Sequence, residues 1–216
     1  QYLLMSPLPK TFPTVDYRLN TITVKLKDSL ETSTTYSLNF GEAIKDFTEG
    51  NVLKNFTYTF STGNYIDSLE IRGKVILAES GKTDSTLIVM LHTSADDSAV
   101  VKERPRYIAK LDSKGNFIFK NLPPRTFYLY ALKDDGGTRR YFDDKQLFAF
   151  AGKPVMTSLK KDTITLYAYA AKPAPSITAI LSSATLGNRN KLKKESENRL
   201  RYQVNLAAGQ QDLLGN

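Results

Sequence analysis

His92 is the only histidine in this 216-residue chain, and cysteine is absent. Histidine-pair metal sites, thiolate ligation and disulfides are therefore excluded. A Ser-His-Asp relay stays arithmetically open, but no Gly-x-Ser-x-Gly elbow accompanies any serine. No phosphate-cradling Walker loop occurs either. His92 closes the apolar run Leu87-Ile88-Val89-Met90-Leu91, and at a strand end it reads as a hydrogen-bonded or exposed side chain. These absences describe a chain that is not an enzyme and needs no cofactor.

Carboxylates offer one alternative. Asp134-Asp135-Gly136-Gly137 and Asp143-Asp144 place four acids on one turn-rich stretch. Clustered carboxylates on loops suit calcium, a hard cation that takes six to eight oxygens. Arg139 and Arg140 lie inside the same stretch and offer those acids a neutralising partner instead. Asp96-Asp97 is a weaker version of the same arrangement. Tyr141 and Phe142, between the two acidic pairs, are candidates for stacking against a sugar ring. Tyr65, Tyr107, Tyr128, Tyr130, Tyr167 and Tyr169 supply a wider set. Tyr167 and Tyr169, however, share one face at period two, and that spacing predicts core positions.

The formal net charge is +8, densest in Arg189, Lys191, Lys193, Lys194, Arg199 and Arg201. Only Tyr202 lies nearby for base stacking, so the run reads as a solvated loop or lysine-bearing edge strand and not as a nucleic-acid site. No stretch approaches the roughly 18 apolar residues of a membrane span. The chain opens at Gln1 without a signal-peptide pattern and reads as a mature segment or a piece of something longer.

The elements that position these residues are strands. Thr21-Ile22-Thr23-Val24-Lys25-Leu26 alternates strictly, as do Tyr36-Ser37-Leu38-Asn39-Phe40 and Phe56-Thr57-Tyr58-Thr59-Phe60. Each predicts a half-buried strand. Similar runs fall at 71–77, 117–119, 127–132 and 164–169, separated by turn chemistry such as Ser113-Lys114-Gly115-Asn116 and Asn121-Leu122-Pro123-Pro124. Strands at this spacing predict an all-β chain of sandwich modules. Ser61-Thr62-Gly63-Asn64 and the Pro-rich Ala171-Lys172-Pro173-Ala174-Pro175 mark the expected boundaries: 1–63, 66–170, and a tail at 171–216 that holds a linker and the start of a further β module.

The first block resembles the bacterial Ig-like domain of S-layer-type and Bacteroidetes surface proteins. Asp28-Ser29-Leu30, Thr34-Thr35-Tyr36-Ser37-Leu38-Asn39-Phe40, Ile44-Lys45-Asp46, Glu49-Gly50-Asn51 and the run from Phe56 to Gly63 carry the likeness, with Tyr36 directed inward. The second block resembles the transthyretin-like, or carboxypeptidase regulatory-like, module. Its marks are Gly73-Lys74-Val75, Asp112-Ser113-Lys114-Gly115-Asn116-Phe117, Asn121-Leu122-Pro123 and Tyr128-Leu129-Tyr130-Ala131. The resemblance implies a seven-strand sandwich with Phe117 and Tyr128 in the core. The tandem order resembles that of Bacteroidetes Ig-like lipoproteins. It implies an extracytoplasmic, cell-envelope protein, periplasmic or anchored to the outer membrane by a lipid outside this chain. Such a protein would serve as a scaffold or adhesion module with a protein or glycan partner. A carbohydrate- or cation-binding role for residues 134–144 is the alternative. Related collagen-adhesin modules can carry a Lys–Asn crosslink. Lys74 is the candidate lysine, but residues 164–169 hold no Asn to meet it. An Ig sandwich has about seven strands, more than the first block shows. Either its beginning is missing, or the alternating run at 200–206 completes it.

Overall fold

The computed structural model describes residues 3–46, 48–159 and 162–171. The basic run from Arg189 to Arg201, the spacer residues Lys172 to Pro175 and the alternating run at 200–206 lie outside the described residues. Gln1–Ala171 forms one compact unit.

The chain is almost entirely β, in several sheets. In the first block β1 (Leu4–Ser6), β4 (Thr35–Asn39) and β7 (Thr57–Ser61) form an antiparallel sheet ordered β1-β4-β7. Two hairpins accompany it: β2 (Thr14–Arg18) with β3 (Thr21–Lys25), and β5 (Ile44–Lys45) with β6 (Val52–Leu53). Alternation in β4 sends Tyr36 and Leu38 inward to pack with Leu3, Met5 and Phe40. Across the ladder Tyr36 stacks on Phe60 at 5.4 Å between ring centroids. Ser37 and Thr59 face the opposite way, register partners on the polar side of the sheet.

The strand at residues 21–26 is exposed, not half-buried. The β2–β3 hairpin pairs only with itself, leaving Tyr17 86% and Leu19 97% exposed. Val24 and Leu26 alone reach the core of this block.

The second block is a sandwich. One sheet runs β10 (Tyr107–Lys110), β9 (Leu87–His92), β12 (Thr126–Lys133), β13 (Phe148–Phe150), and β14 (Val155–Met156) pairs with the lower half of β12. The other runs β11 (Asn116–Leu122), β8 (Leu69–Leu77), β15 (Thr163–Ala168), with β15 parallel to β8. Alternate residues of both sheets meet in one core that includes Ile71, Val75, Leu91, Phe117, Phe127 and Leu166. Each large apolar side chain so buried contributes about 1.5–3 kcal/mol. Gly73 is required there: a Cβ would collide with the Ile164 carbonyl of β15 and the ring of Phe117. The turn into β11 is closed by Asp112, whose carboxylate accepts from the N–H groups of Lys114 and Asn116, both at 2.8 Å.

Two core expectations fail by one residue of register, which in a strand exchanges the faces. Phe127 and Leu129 enter the core, and Tyr128 faces outward. Leu166 and Ala168 enter it, leaving Tyr167 60% and Tyr169 49% exposed. The outer face of the sheet that holds β9 and β12 carries a smaller cluster of Met90, Ile108 and Leu132. It is covered by the short helix α1 (Ala99–Lys102) through Val100 and joined by Leu8 of the first block.

Candidate functional site

The acids at 134–144 do not converge. Asp134 Oδ1 accepts from the backbone N–H of Arg139 at 3.0 Å and from the Thr138 hydroxyl at 3.4 Å, which closes its own turn. Asp135 pairs with Lys133 at 3.8 Å. Asp143 accepts from the Lys145 N–H at 2.7 Å, and that bond holds its carboxyl below the usual range. Asp144 accepts the Ala171 N–H through its backbone carbonyl. Gln146 ties the loop down by donating to the Lys133 carbonyl at 2.7 Å. Among the described residues no three His, Cys, Asp or Glu side chains gather as metal ligands. The two aromatic candidates separate as well. Tyr141 lies against Phe148, 4.6 Å between centroids, while Phe142 is 64% exposed.

His92 is neither exposed nor hydrogen-bonded through Nε2. It lies buried with its ring edge-on to Tyr130 at 5.5 Å, and its Nε2 has no partner. Burial pushes its pKa down to about 4, so it is neutral at pH 7. Among the described residues the Ser98 hydroxyl is also buried and unpartnered, and no serine hydrogen-bonds the histidine.

Among the described residues a dense set of long-range polar contacts lies at the junction between the two blocks, which the sequence did not point to. Arg106 donates Nη1 to Glu31 Oε1 at 3.0 Å and Nη2 to Oε2 at 2.6 Å. This fork-on-carboxylate contact lowers the pKa of Glu31 and raises that of Arg106. The Leu8 N–H donates to the Arg106 carbonyl at 2.7 Å, and Arg104 donates to the Lys10 carbonyl at 2.8 Å. Arg139, the expected partner of the loop acids, lies 4.8 Å over the ring of Phe12. A second attachment lies on the other side of the first block. β11 bulges between Phe119 and Leu122, and Asn121 there adopts φ +57°, a conformation asparagine tolerates well. Its amide donates to Ser37 at 3.1 Å and to Thr59 at 3.2 Å. A third link joins the buried Thr35 hydroxyl to the Asp67 N–H at 2.9 Å.

Residues 4–62 match the family model of the bacterial Ig-like domain. No curated protein and no solved structure matches the chain. The Ig-like block is thus held at both faces of its margin: Glu31 and residues 8–12 on one side, the polar face of its β4–β7 ladder on the other. Polar groups from well-separated strands converge there and are taken up in bonds to one another. Such an arrangement fixes orientation.

Proposed function

We propose that this chain is a non-enzymatic structural or adhesion module of a bacterial cell-envelope lipoprotein, an arm whose two sandwiches are locked at a fixed angle. The observation that carries the reading is the junction. The bidentate Arg106–Glu31 pair and the Asn121 bridge to Ser37 and Thr59 restrain the Ig-like block at two separate points. A loose tether would leave the short connection through Gly63 free to pivot.

The second sandwich is read as a transthyretin-like domain at residues 66–170, after an Ig-like domain at 1–63. Its sheet orders, β10-β9-β12-β13 and β11-β8-β15, support a seven-strand module of that kind, with β14 as an addition. The Ig-like match supports an extracytoplasmic location, and a lipid anchor outside this chain would join the arm to its membrane.

Limited chymotrypsin digestion tests the arm. Tyr65 and Ile66 are exposed in the connection, so a pivoting joint is cut after Tyr65 and separates the blocks. The proposal expects this cut to be slow in the native chain and fast once Arg106 and Asn121 are both changed to Ala. Rapid cutting of the native chain would overturn it.

A further inference from the structure

The two sheets of the second sandwich close on each other at one edge and then part. Phe148 of β13 and Tyr169, just past β15, exchange both backbone hydrogen bonds, at 2.9 and 3.0 Å. The next pair along, Phe150 and Tyr167, makes none. The chain turns out through Gly152, Lys153 and Pro154 to β14, and at the far end Ser158 exchanges both bonds with Glu70 of β8, at 3.2 and 3.3 Å. Between these two bridges lies a cleft of about 720 Å³.

Both walls of this cleft present strand edges. The Ala78 N–H donates to the Ala168 carbonyl, so alternation directs the backbone groups of Ile164, Leu166 and Ala168 toward β8. Those of Thr165 and Tyr167 point into the cleft. On the opposite wall the Leu147 carbonyl and Ala151 N–H bond toward β12, which directs the groups of Phe150 into the cleft. Free sheet edges are ordinarily blunted by Lys, Pro or bulges. Thr163-Ile-Thr-Leu-Tyr-Ala168 has none of these. The rim is apolar and open at Tyr167, Phe150 and Met156. Arg72 lines the same cleft, its guanidinium paired with Glu70.

We propose that this cleft binds an extended peptide segment, which adds as a strand to β15 through the backbone groups of Thr165 and Tyr167. Unpaired backbone edges give affinity to a strand, and the rim selects alternate side chains. The open edge from residue 163 to residue 167, short of the Tyr169 bridge, is about 13 Å at roughly 3.3 Å per residue, which accommodates the central four or five residues of such a segment. An uncharged, β-branched sequence fits the apolar rim. This inference stands apart from the arm reading and survives if the junction proves loose.

The test is a titration of the isotope-labelled full chain, followed by amide chemical shifts. The probe is a capped hexapeptide of alternating threonine and valine. Its analogue, N-methylated on the face that would pair with β15, and a cellohexaose control complete the set. The expected result is movement of the Thr165, Tyr167 and Phe150 amides, with binding about fivefold or more weaker for the methylated peptide. Thr165→Pro, tolerable on an edge, should weaken the peptide similarly while leaving distant amides unmoved. Three results would overturn the proposal: equal binding of both peptides, no movement in the cleft, or movement there with the hexasaccharide alone.

Discussion

Arg106 and Glu31, 75 residues apart in sequence, meet through two parallel hydrogen bonds at the joint between the Ig-like block and the sandwich that follows. Arg106 is largely shielded and Glu31 more open, with side-chain exposures of 26% and 58%. The pair therefore contributes geometry more than raw stability. A partly exposed bidentate pair is worth on the order of 1 kcal/mol. A double-mutant cycle with Arg106→Ala and Glu31→Ala should return a coupling of about that size, diminished by salt. The Glu31 carboxyl titrates below its ordinary 4.5, so the contribution is complete above pH 4.5. It is lost only as pH falls through the lower folded value.

Gly73→Ala should be severe. The new methyl has no room between the Ile164 carbonyl and the Phe117 ring, so β15 must leave β8 or Phe117 must leave the core. A loss of about 3 kcal/mol or more is expected, read by chemical denaturation. Gly81→Ala is the control. Its site has open space but also positive φ, so only about 1 kcal/mol is expected.

His92 makes stability depend on acid. Its folded pKa of about 4 lies below the ordinary 6.5. The neutral ring is favoured in the fold, and the contribution is whole above pH 6.5 and lost as pH falls from 6.5 to 4. The loss is at most about 3 kcal/mol. His92→Phe removes the unpartnered Nε2 and should flatten this limb in a series of denaturation midpoints against pH. An unchanged slope would show that the histidine finds a proton acceptor in the fold.

The loop at 134–144 should ignore calcium. Asp134 and Asp143 already accept bonds from their own turns. Excess calcium or a chelator should therefore leave the melting temperature unchanged, while Asp134→Ala should lower it by the loss of about 1 kcal/mol. Calcium-dependent stabilisation abolished by Asp134→Ala and Asp143→Ala would instead favour the cation-binding alternative.

Much of the framework was legible in the sequence because period two is a local signal. β4, β8 and β12 could be read from alternation, β9 from its unbroken apolar run, and the Asp112–Gly115 turn from its residue types. The face of a strand was less secure. In Thr163-Ile-Thr-Leu-Tyr-Ala168 alternation puts Ile164, Leu166 and Ala168 on one face and Thr163, Thr165 and Tyr167 on the other, and the wholly apolar face is the buried one; reading the tyrosines as core took the wrong face. β13 and β14 are three and two residues long, too short to show a period. The junction was invisible because these partners lie 62 to 84 residues apart: nothing local marks Glu31 or Arg106, and Asn121 was marked only as a turn residue. The acidic loop misled for the opposite reason: its acids are close in sequence, but Asp134 and Asp143 are bound by their own turns and Asp135 pairs with Lys133.

The claim that the arm is stiff is tested most directly by a pulsed electron-spin distance measurement. The chain has no cysteine, so Lys45→Cys in the Ig-like block and Lys114→Cys in the second sandwich give two unique label sites, both exposed. The account predicts one narrow distance distribution that broadens when Arg106→Ala and Asn121→Ala are added. A distribution already broad in the otherwise unaltered chain would contradict it.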